Sequence, residues 1–169
     1  MKNLLLSLII LFTGQFAQAQ FRIDGQLGGS NFLGASINVS NEFQLFTNEN
    51  HIITPTIGIG YVLEYYNPET AIIHFGINYR IKRIGIGIES SRFIEDLIKD
   101  NNVFSDMVDL IIYPNINYTF ISKFNIYAKL SAGAYFAYDK NKYFPEMKTW
   151  SFAGDIIPGA GLSIGYLFN

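Results

Sequence analysis

The chain has 169 residues, enough for one domain and too few for two of ordinary size, and it contains no cysteine. The missing thiols exclude disulfides, thiolate metal sites and cysteine nucleophiles. Charged residues make up 15% of the chain and the formal net charge is −2, which argues against a nucleic-acid partner. Aromatic residues at 16% and 15 glycines favour strands and turns over helices.

Residues 1–19 have the three parts of a secretory signal peptide. Lys2 supplies the positive charge, residues 4–12 form an apolar run, and residues 17–19 form a cleavage motif of the A-x-A type. The apolar run is too short for a spanning helix, which needs about 20 residues. We therefore predict a cleaved signal peptide followed by one domain over 20–169, with an uncleaved N-terminal anchor as the alternative.

Strict alternation of apolar residues with polar or small residues recurs after the signal segment and predicts strands. In the clearest stretch, Ile57, Ile59 and Tyr61 share one parity, and threonine and glycine dominate the other. Eight segments show this pattern, at about 21–27, 34–45, 53–65, 71–82, 84–89, 110–120, 124–138 and 156–168. The first and fifth look short for a membrane strand. The pattern predicts an all-β fold, an eight-stranded antiparallel up-and-down transmembrane β-barrel.

Two predicted connections are long, at about 90–109 and 139–154, whereas the others are short turns, one of them at 29–31. An even strand number places both termini on one side, which is the periplasmic side in bacterial outer-membrane barrels, with the longer loops outside. Both long connections then fall outside. Within the first, apolar residues recur at helical spacing after Ser90 or Ser91, a candidate cap. We predict a short amphipathic helix there, with a loop folded over the barrel rim as the alternative.

The two strand parities differ in ways that indicate an outward apolar face. The polar parity is rich in glycine, which suits the crowded interior of an eight-stranded barrel. Aromatic residues of the apolar parity cluster at the strand ends, as the two membrane interfaces select. Charges of the polar parity nearly balance, and pairing is expected because an isolated charge in a closed lumen is very unfavourable. The alternative is a soluble ligand-carrying barrel, whose apolar face points inward.

The ionisable residues of the polar parity form a predicted lumenal network. We interpret its carboxylates as ion-pair partners of its basic residues, and His74 as a hydrogen-bonding member; a proton relay or ligand contact at His74 is the alternative. Two histidines without cysteine argue against a zinc site, and His74 has no serine within two residues on its own parity, which argues against hydrolytic catalysis. The predicted network comprises Arg22, Asp24, Glu42, Glu64, His74, Arg80, Lys82, Glu89 and Lys129.

With its signal peptide, its alternating strands and a final segment reading Gly161-Leu-Ser-Ile-Gly-Tyr-Leu-Phe168, the sequence resembles small outer-membrane barrel proteins of the OmpX, OmpA-domain and PorT-like families. The resemblance implies an integral outer-membrane location and contact with outer-membrane lipid. It also implies insertion by the barrel-assembly machinery, which reads a terminal aromatic residue. Here Asn169 follows Phe168, a small departure from that signal.

The sequence favours a non-enzymatic structural or surface-interaction scaffold that displays its two long loops, and it predicts no cofactor. Aromatic residues in the second loop are the candidate contacts with a surface partner: Tyr143, Phe144, Trp150 and Phe152. A narrow porin-like channel for ions or small solutes is the alternative, although eight strands leave little lumen. A soluble periplasmic lipocalin-like binding barrel is the remaining alternative.

Overall fold

Eight antiparallel strands close into one barrel in the computed structural model, which describes residues 20–32, 34–45, 50–62, 70–94, 110–138 and 157–168. Each strand pairs with its neighbours in the chain, and the first strand pairs with the last. The predicted all-β, eight-stranded, antiparallel up-and-down barrel is confirmed. In chain order the strands are β1 (Gln20–Gly28), β2 (Ala35–Gln44), β3 (His51–Val62), β4 (Thr70–Ile81), β5 (Ile84–Ile94), β6 (Leu110–Ile121), β7 (Ile126–Tyr138) and β8 (Ile157–Phe168).

The two ends of the barrel differ in their connections. One end, here called the turn end, carries the first residue of β1, the last residue of β8 and the connections 45–50, 82–83 and 122–125. The opposite end, here called the loop end, carries the other four connections. Two of these include the predicted long loops, whose residues 95–109 and 139–154 lie outside the described part of the chain.

Strand β5 is longer than its sequence pattern indicated. It continues to Ile94, so Ser90 and Ser91 lie within the strand and neither caps a helix. The predicted helix is therefore wrong at its beginning, and the loop at 90–109 starts later than predicted. Ser91 pairs with His74 of β4 and Phe93 pairs with Ile72, so these residues extend the inward parity of β5. Pairing with β4 outweighs the local helical spacing, because such propensity is a weak preference that tertiary contacts override.

The barrel wall has an apolar outer face and a mainly polar inner face. Every strand exposes large hydrophobic side chains, among them Ile37, Ile59 and Ile116 at 66%, 73% and 65% exposure. Among the described residues, buried polar and charged side chains are more numerous than buried hydrophobic ones. This distribution is the reverse of that in water-soluble domains, where charged side chains are rarely buried and large apolar ones usually are. No helix in the described ranges is long and apolar enough to cross a membrane.

The connection between β1 and β2 folds into the lumen at the loop end. Gly28 and Gly29 adopt positive φ angles of 67° and 59°, which glycine tolerates without steric cost. The chain then forms one 3-10 turn over Gly29–Asn31, here called the inward turn, in which Ser30 and Asn31 are fully buried. The inward turn contacts β4, β5, β6, β7 and β8 as well as β1, so it occupies the middle of the lumen. The turn predicted at 29–31 is therefore present, but inside the barrel.

An apolar cluster fills the lumen around the inward turn at the loop end. The ring of Phe32, which follows the turn, packs edge-on against Tyr135 with ring centres 5.4 Å apart. Tyr135 also packs against Tyr113, with ring centres 5.3 Å apart. The buried members of the cluster are Val62, Ile72, Phe93, Ile111, Tyr113 and Tyr135.

Two glycines beside the seam between β1 and β8 provide a test of this packing. A Cβ on Gly165 would overlap main-chain atoms of Ile23 and Asp24, whereas a Cβ on Gly25 would meet nothing closer than the Ile164 carbonyl oxygen at 3.9 Å. We expect Gly165→Ala to lower the free energy of unfolding by about 1–3 kcal/mol, the usual cost of overpacking. Gly25→Ala should change it by less than about 1 kcal/mol. Urea unfolding of the refolded full chain measures both, and equal effects would contradict the packing at the seam.

Candidate functional site: the polar lumen

Four charged side chains form a continuous chain of ion pairs in the lumen toward the turn end. The Glu42 carboxylate accepts hydrogen bonds from Arg22 Nη1 at 3.0 Å and from Arg80 Nη2 at 2.6 Å, so it bridges two guanidinium groups. Arg22 Nε donates to Asp24 Oδ2 at 2.9 Å. All four residues belong to the inward parity of β1, β2 and β4, and none is more than 7% exposed. Two positive and two negative charges are thus paired away from water, as buried charges require.

Further contacts hold the two arginines in place. Arg22 Nη2 donates to Ser40 Oγ at 3.1 Å, and its guanidinium carbon lies 3.9 Å from the centre of the buried Tyr127 ring. Such stacking over an aromatic face is favourable, and more so where water is excluded. Arg80 Nη1 donates to the Lys82 carbonyl oxygen at 2.7 Å, which joins the network to the β4–β5 turn.

A second ion pair lies deeper in the lumen, beneath the inward turn. Lys129 Nζ donates to Glu89 Oε1 at 2.7 Å, and the other carboxylate oxygen accepts a hydrogen bond from Gln26 Nε2, also at 2.7 Å. Gly29 lies directly against this group, because a Cβ there would come within 2.6 Å of Gln26 Nε2 and 3.0 Å of Glu89 Oε2. The ion pair and its glutamine therefore support the inward turn from below.

Hydrogen bonds around His74 hold the inward turn from the side. His74 Nδ1 lies 3.0 Å from Ser30 Oγ and 3.3 Å from Ser91 Oγ. Ser91 Oγ in turn donates to Asn31 Oδ1 at 2.9 Å, and Asn31 Nδ2 donates to Ser36 Oγ at 2.8 Å. The strand residues His74, Ser91 and Ser36 thus supply the hydrogen bonds that the buried side chains of the turn would otherwise make with water.

Ser30 and His74 have the atoms of a nucleophile and a base, but their position does not suit hydrolysis. A nucleophile must reach the substrate, whereas Ser30 is 0% exposed and His74 is 1% exposed, beside the apolar cluster. Their hydrogen bond has a structural use, which is to hold the inward turn in the lumen. In the described ranges, no group of three or more His, Asp or Glu side chains converges as metal ligands do.

The structure places seven of the nine predicted network residues in the lumen and excludes one, Lys82. Lys82 lies outside the lumen: its side chain is exposed in the β4–β5 turn, where the backbone has a φ of 55°. The strand ends at Ile81, so the alternation that assigned Lys82 to the inner face stops before it. Glu64 and the four loop aromatics Tyr143, Phe144, Trp150 and Phe152 lie outside the described residues. The residues placed in the lumen are Arg22, Asp24, Glu42, His74, Arg80, Glu89 and Lys129.

Uncharged residues complete the lumen, and the sequence reasoning missed them because it considered ionisable groups first. Tyr113 is 0% exposed and donates from its hydroxyl to the Gly159 carbonyl oxygen at 3.2 Å, so it crosses from β6 toward β8. Gln26 and Asn38 hydrogen-bond to each other at 3.2 Å. Their inward parity was readable from the sequence, but their partners were not.

Aromatic side chains are concentrated on the outer face at the turn end. Phe168 packs against Phe21 with ring centres 5.7 Å apart and against Tyr166 at 4.9 Å. Phe124, in the β6–β7 turn, is 80% exposed. Aliphatic residues such as Ile57 and Ile88 lie nearer the middle of the wall. The outer surface is therefore an aliphatic belt with aromatic residues at its turn-end edge.

Comparison with protein-family models, with characterised proteins and with solved structures found no match for this chain.

The Glu42 bridge makes a direct test of the ion-pair network. Glu42→Gln leaves the buried guanidinium groups of Arg22 and Arg80 without their shared counter-charge, so we expect the free energy of unfolding to fall by about 3–5 kcal/mol. Lys82→Gln removes an exposed charge that forms no ion pair with the described residues, and it should change stability by no more than about 0.5 kcal/mol. Urea unfolding of both variants supplies the comparison. If Glu42→Gln has the same free energy of unfolding as the wild-type chain, water reaches the two arginines.

Proposed function

We propose that this chain is an integral outer-membrane barrel, exported by the signal peptide at 1–19, that serves as a non-enzymatic scaffold for surface interactions. The observation that carries the proposal is the inverted polarity of the wall, with exposed Ile, Leu, Val and Phe outside and paired charges inside. Contact with lipid hydrocarbon removes this apolar surface from water. The closed barrel also pairs its strands all round, as a structure in hydrocarbon must.

Strand length agrees with membrane insertion. The described strands contain 9 to 13 residues, and a tilted membrane strand needs about 9–11. Aromatic residues at the turn-end edge of the belt fit the headgroup region, where amphipathic rings are enriched. The soluble lipocalin-like alternative has less support, because such a barrel needs an apolar interior for its ligand and a polar exterior.

The filled lumen favours a closed scaffold over a channel. Two ion-pair groups occupy the lumen below the inward turn, and the turn with the apolar cluster around it occupies the lumen at the loop end. An open pore needs a continuous water path, and the side chains of an eight-stranded barrel nearly fill its interior. A channel would therefore require the inward turn to leave the lumen, with the loss of its hydrogen bonds to His74 and Ser91.

On this proposal the loops at the loop end face the outside and meet a surface partner. Tyr143, Phe144, Trp150 and Phe152 stay the proposed contacts, since aromatic residues are enriched among those that dominate the binding energy of interfaces. Phe168 at the end of β8 is 43% exposed and available as the aromatic signal for the barrel-assembly machinery.

The first experiment is an SDS gel of the outer-membrane fraction, run with and without boiling. An intact barrel resists SDS until it is heated, so we expect the boiled sample to change mobility. Recovery of the protein in the soluble periplasmic fraction, with no shift on boiling, would overturn the membrane proposal.

A charged residue introduced into the aliphatic belt of the outer face distinguishes a membrane barrel from a soluble one. Ile57 lies in the middle of β3 and is 55% exposed. Lysine at the bilayer midplane costs about 2–4 kcal/mol in a membrane barrel, whereas near the interface it costs about 0–1 kcal/mol. We expect Ile57→Lys to reduce the heat-modifiable fraction on refolding into vesicles, and the matched control Phe124→Lys to leave it nearly unchanged. If Ile57→Lys folds as well as the control, the belt does not face lipid.

Conductance separates the scaffold from the channel. We expect the full chain, inserted into a planar bilayer, to give no steady single-channel steps, because the inward turn and the ion pairs occupy the lumen. Insertion is verified in parallel by the gel shift of protein recovered from vesicles of the same lipid composition. Steady unitary steps would overturn the closed-scaffold proposal and favour the narrow channel.

A further inference from the structure

We propose that the outer face at the turn end binds the phosphate of an anionic phospholipid headgroup, with Arg83 as the principal contact. Lys82 and Lys123 supply further positive charge from the β4–β5 and β6–β7 turns. The inference rests on the membrane insertion proposed above and adds to it a defined site and a lipid class.

Arg83 is held on the outer wall by the neighbouring strand β6. Its carbonyl oxygen accepts a hydrogen bond from the Thr119 N–H at 2.7 Å, which fixes the backbone of the turn. Its Nη1 donates to the Tyr118 hydroxyl at 3.3 Å, and its guanidinium carbon lies 5.9 Å from the centre of the Phe120 ring. Tyr118 and Phe120 are 45% and 48% exposed, so the guanidinium lies between outward aromatics.

The positive charge at this edge has no counter-charge in the described part of the chain. Lys82, Arg83 and Lys123 are all exposed, and none lies within 4.0 Å of a described carboxylate. The acidic side chains that the structure describes are buried in the lumen with partners of their own. Arginine carries five N–H donors in a planar fork, and Tyr118 uses one of them. The remaining donors suit an oxyanion such as phosphate, which arginine binds in a bidentate manner.

The apolar surroundings require that the anion also has an apolar part. Ile81 and Ile84 flank the β4–β5 turn at 46% and 65% exposure, and Phe124 beside Lys123 is 80% exposed. A ligand on this surface therefore places a negative group against the cations and hydrocarbon against the belt. A phospholipid has this arrangement when the bilayer surface lies level with the turn end.

Arg92 provides a matched control on the same strand. It is exposed like Arg83 but lies near the loop end of β5, and the residues paired with it, Ile73 and Leu110, are aliphatic. If any cation at the edge of the belt attracted anionic lipid equally, the two arginines would behave alike. The aromatic neighbours of Arg83 predict that they differ.

The test is lipid enrichment around the reconstituted full chain. The protein is inserted into vesicles of mixed phosphatidylcholine and phosphatidylglycerol, extracted in mild detergent, and its retained lipids are measured by native mass spectrometry. We expect retention of phosphatidylglycerol over phosphatidylcholine, and Arg83→Gln should reduce that preference about fivefold, the effect of one basic side chain at an anionic surface. Arg92→Gln should leave it unchanged. Tyr118→Phe, which keeps the ring and removes the hydroxyl partner, should reduce the preference by a smaller factor.

The gel shift on boiling is scored for every variant before lipid analysis, which separates the two proposals. No phosphatidylglycerol preference in inserted wild-type protein, or equal losses in Arg83→Gln and Arg92→Gln, would overturn the headgroup site and leave membrane insertion standing. Failure of the wild-type chain to insert even into phosphatidylcholine vesicles would overturn the membrane proposal and the headgroup site with it.

Discussion

Glu42 lies between the guanidinium groups of Arg22 and Arg80, and this shared carboxylate shows the constraint under which the whole lumen is built. A charge sealed inside a narrow barrel costs several kcal/mol unless an opposite charge and hydrogen bonds meet it there. Accordingly, Arg22, Arg80 and Lys129 each form an ion pair with a buried carboxylate. Neutral side chains add hydrogen bonds to these groups, as Ser40 does to Arg22 and Gln26 to Glu89. The strands must then keep a register that brings these residues to the same depth, so the charge network and the barrel geometry depend on each other.

The inward turn follows from the same constraint. A connection that entered an apolar lumen would leave its backbone and side-chain polar groups unsatisfied, which is costly. Here His74 and Ser91 offer hydrogen-bond partners and the Glu89 group packs against Gly29, so the turn is stable inside the lumen. The polar lumen is thus the reason that a short β1–β2 connection can lie inside the barrel. It is also why the closed scaffold has more support than the channel.

The outer face and the lumen carry different kinds of residue, apolar outside and polar or charged inside. The charges are paired inside the lumen, and the outer wall is apolar. On the proposed membrane location, lipid hydrocarbon covers that wall. Cations outside the lumen, such as Arg83 and Lys123, then lie where the belt ends and headgroups begin. A single assignment of inner and outer faces therefore accounts for the buried ion pairs, the exposed isoleucines and the basic turns.

The sequence by itself determined the class of fold, the number of strands and the face on which most of the described strand residues lie. These are readable because the period of two is a local property of the strand. Tertiary structure decided the end of β5, the course of the chain at Gly29–Asn31, the exclusion of Lys82 from the lumen and the identity of every ion-pair partner. The partners of Glu89 and His74, Lys129 and Ser30, lie 40 and 44 residues away. Such contacts depend on the register of several strands at once, which no local pattern specifies.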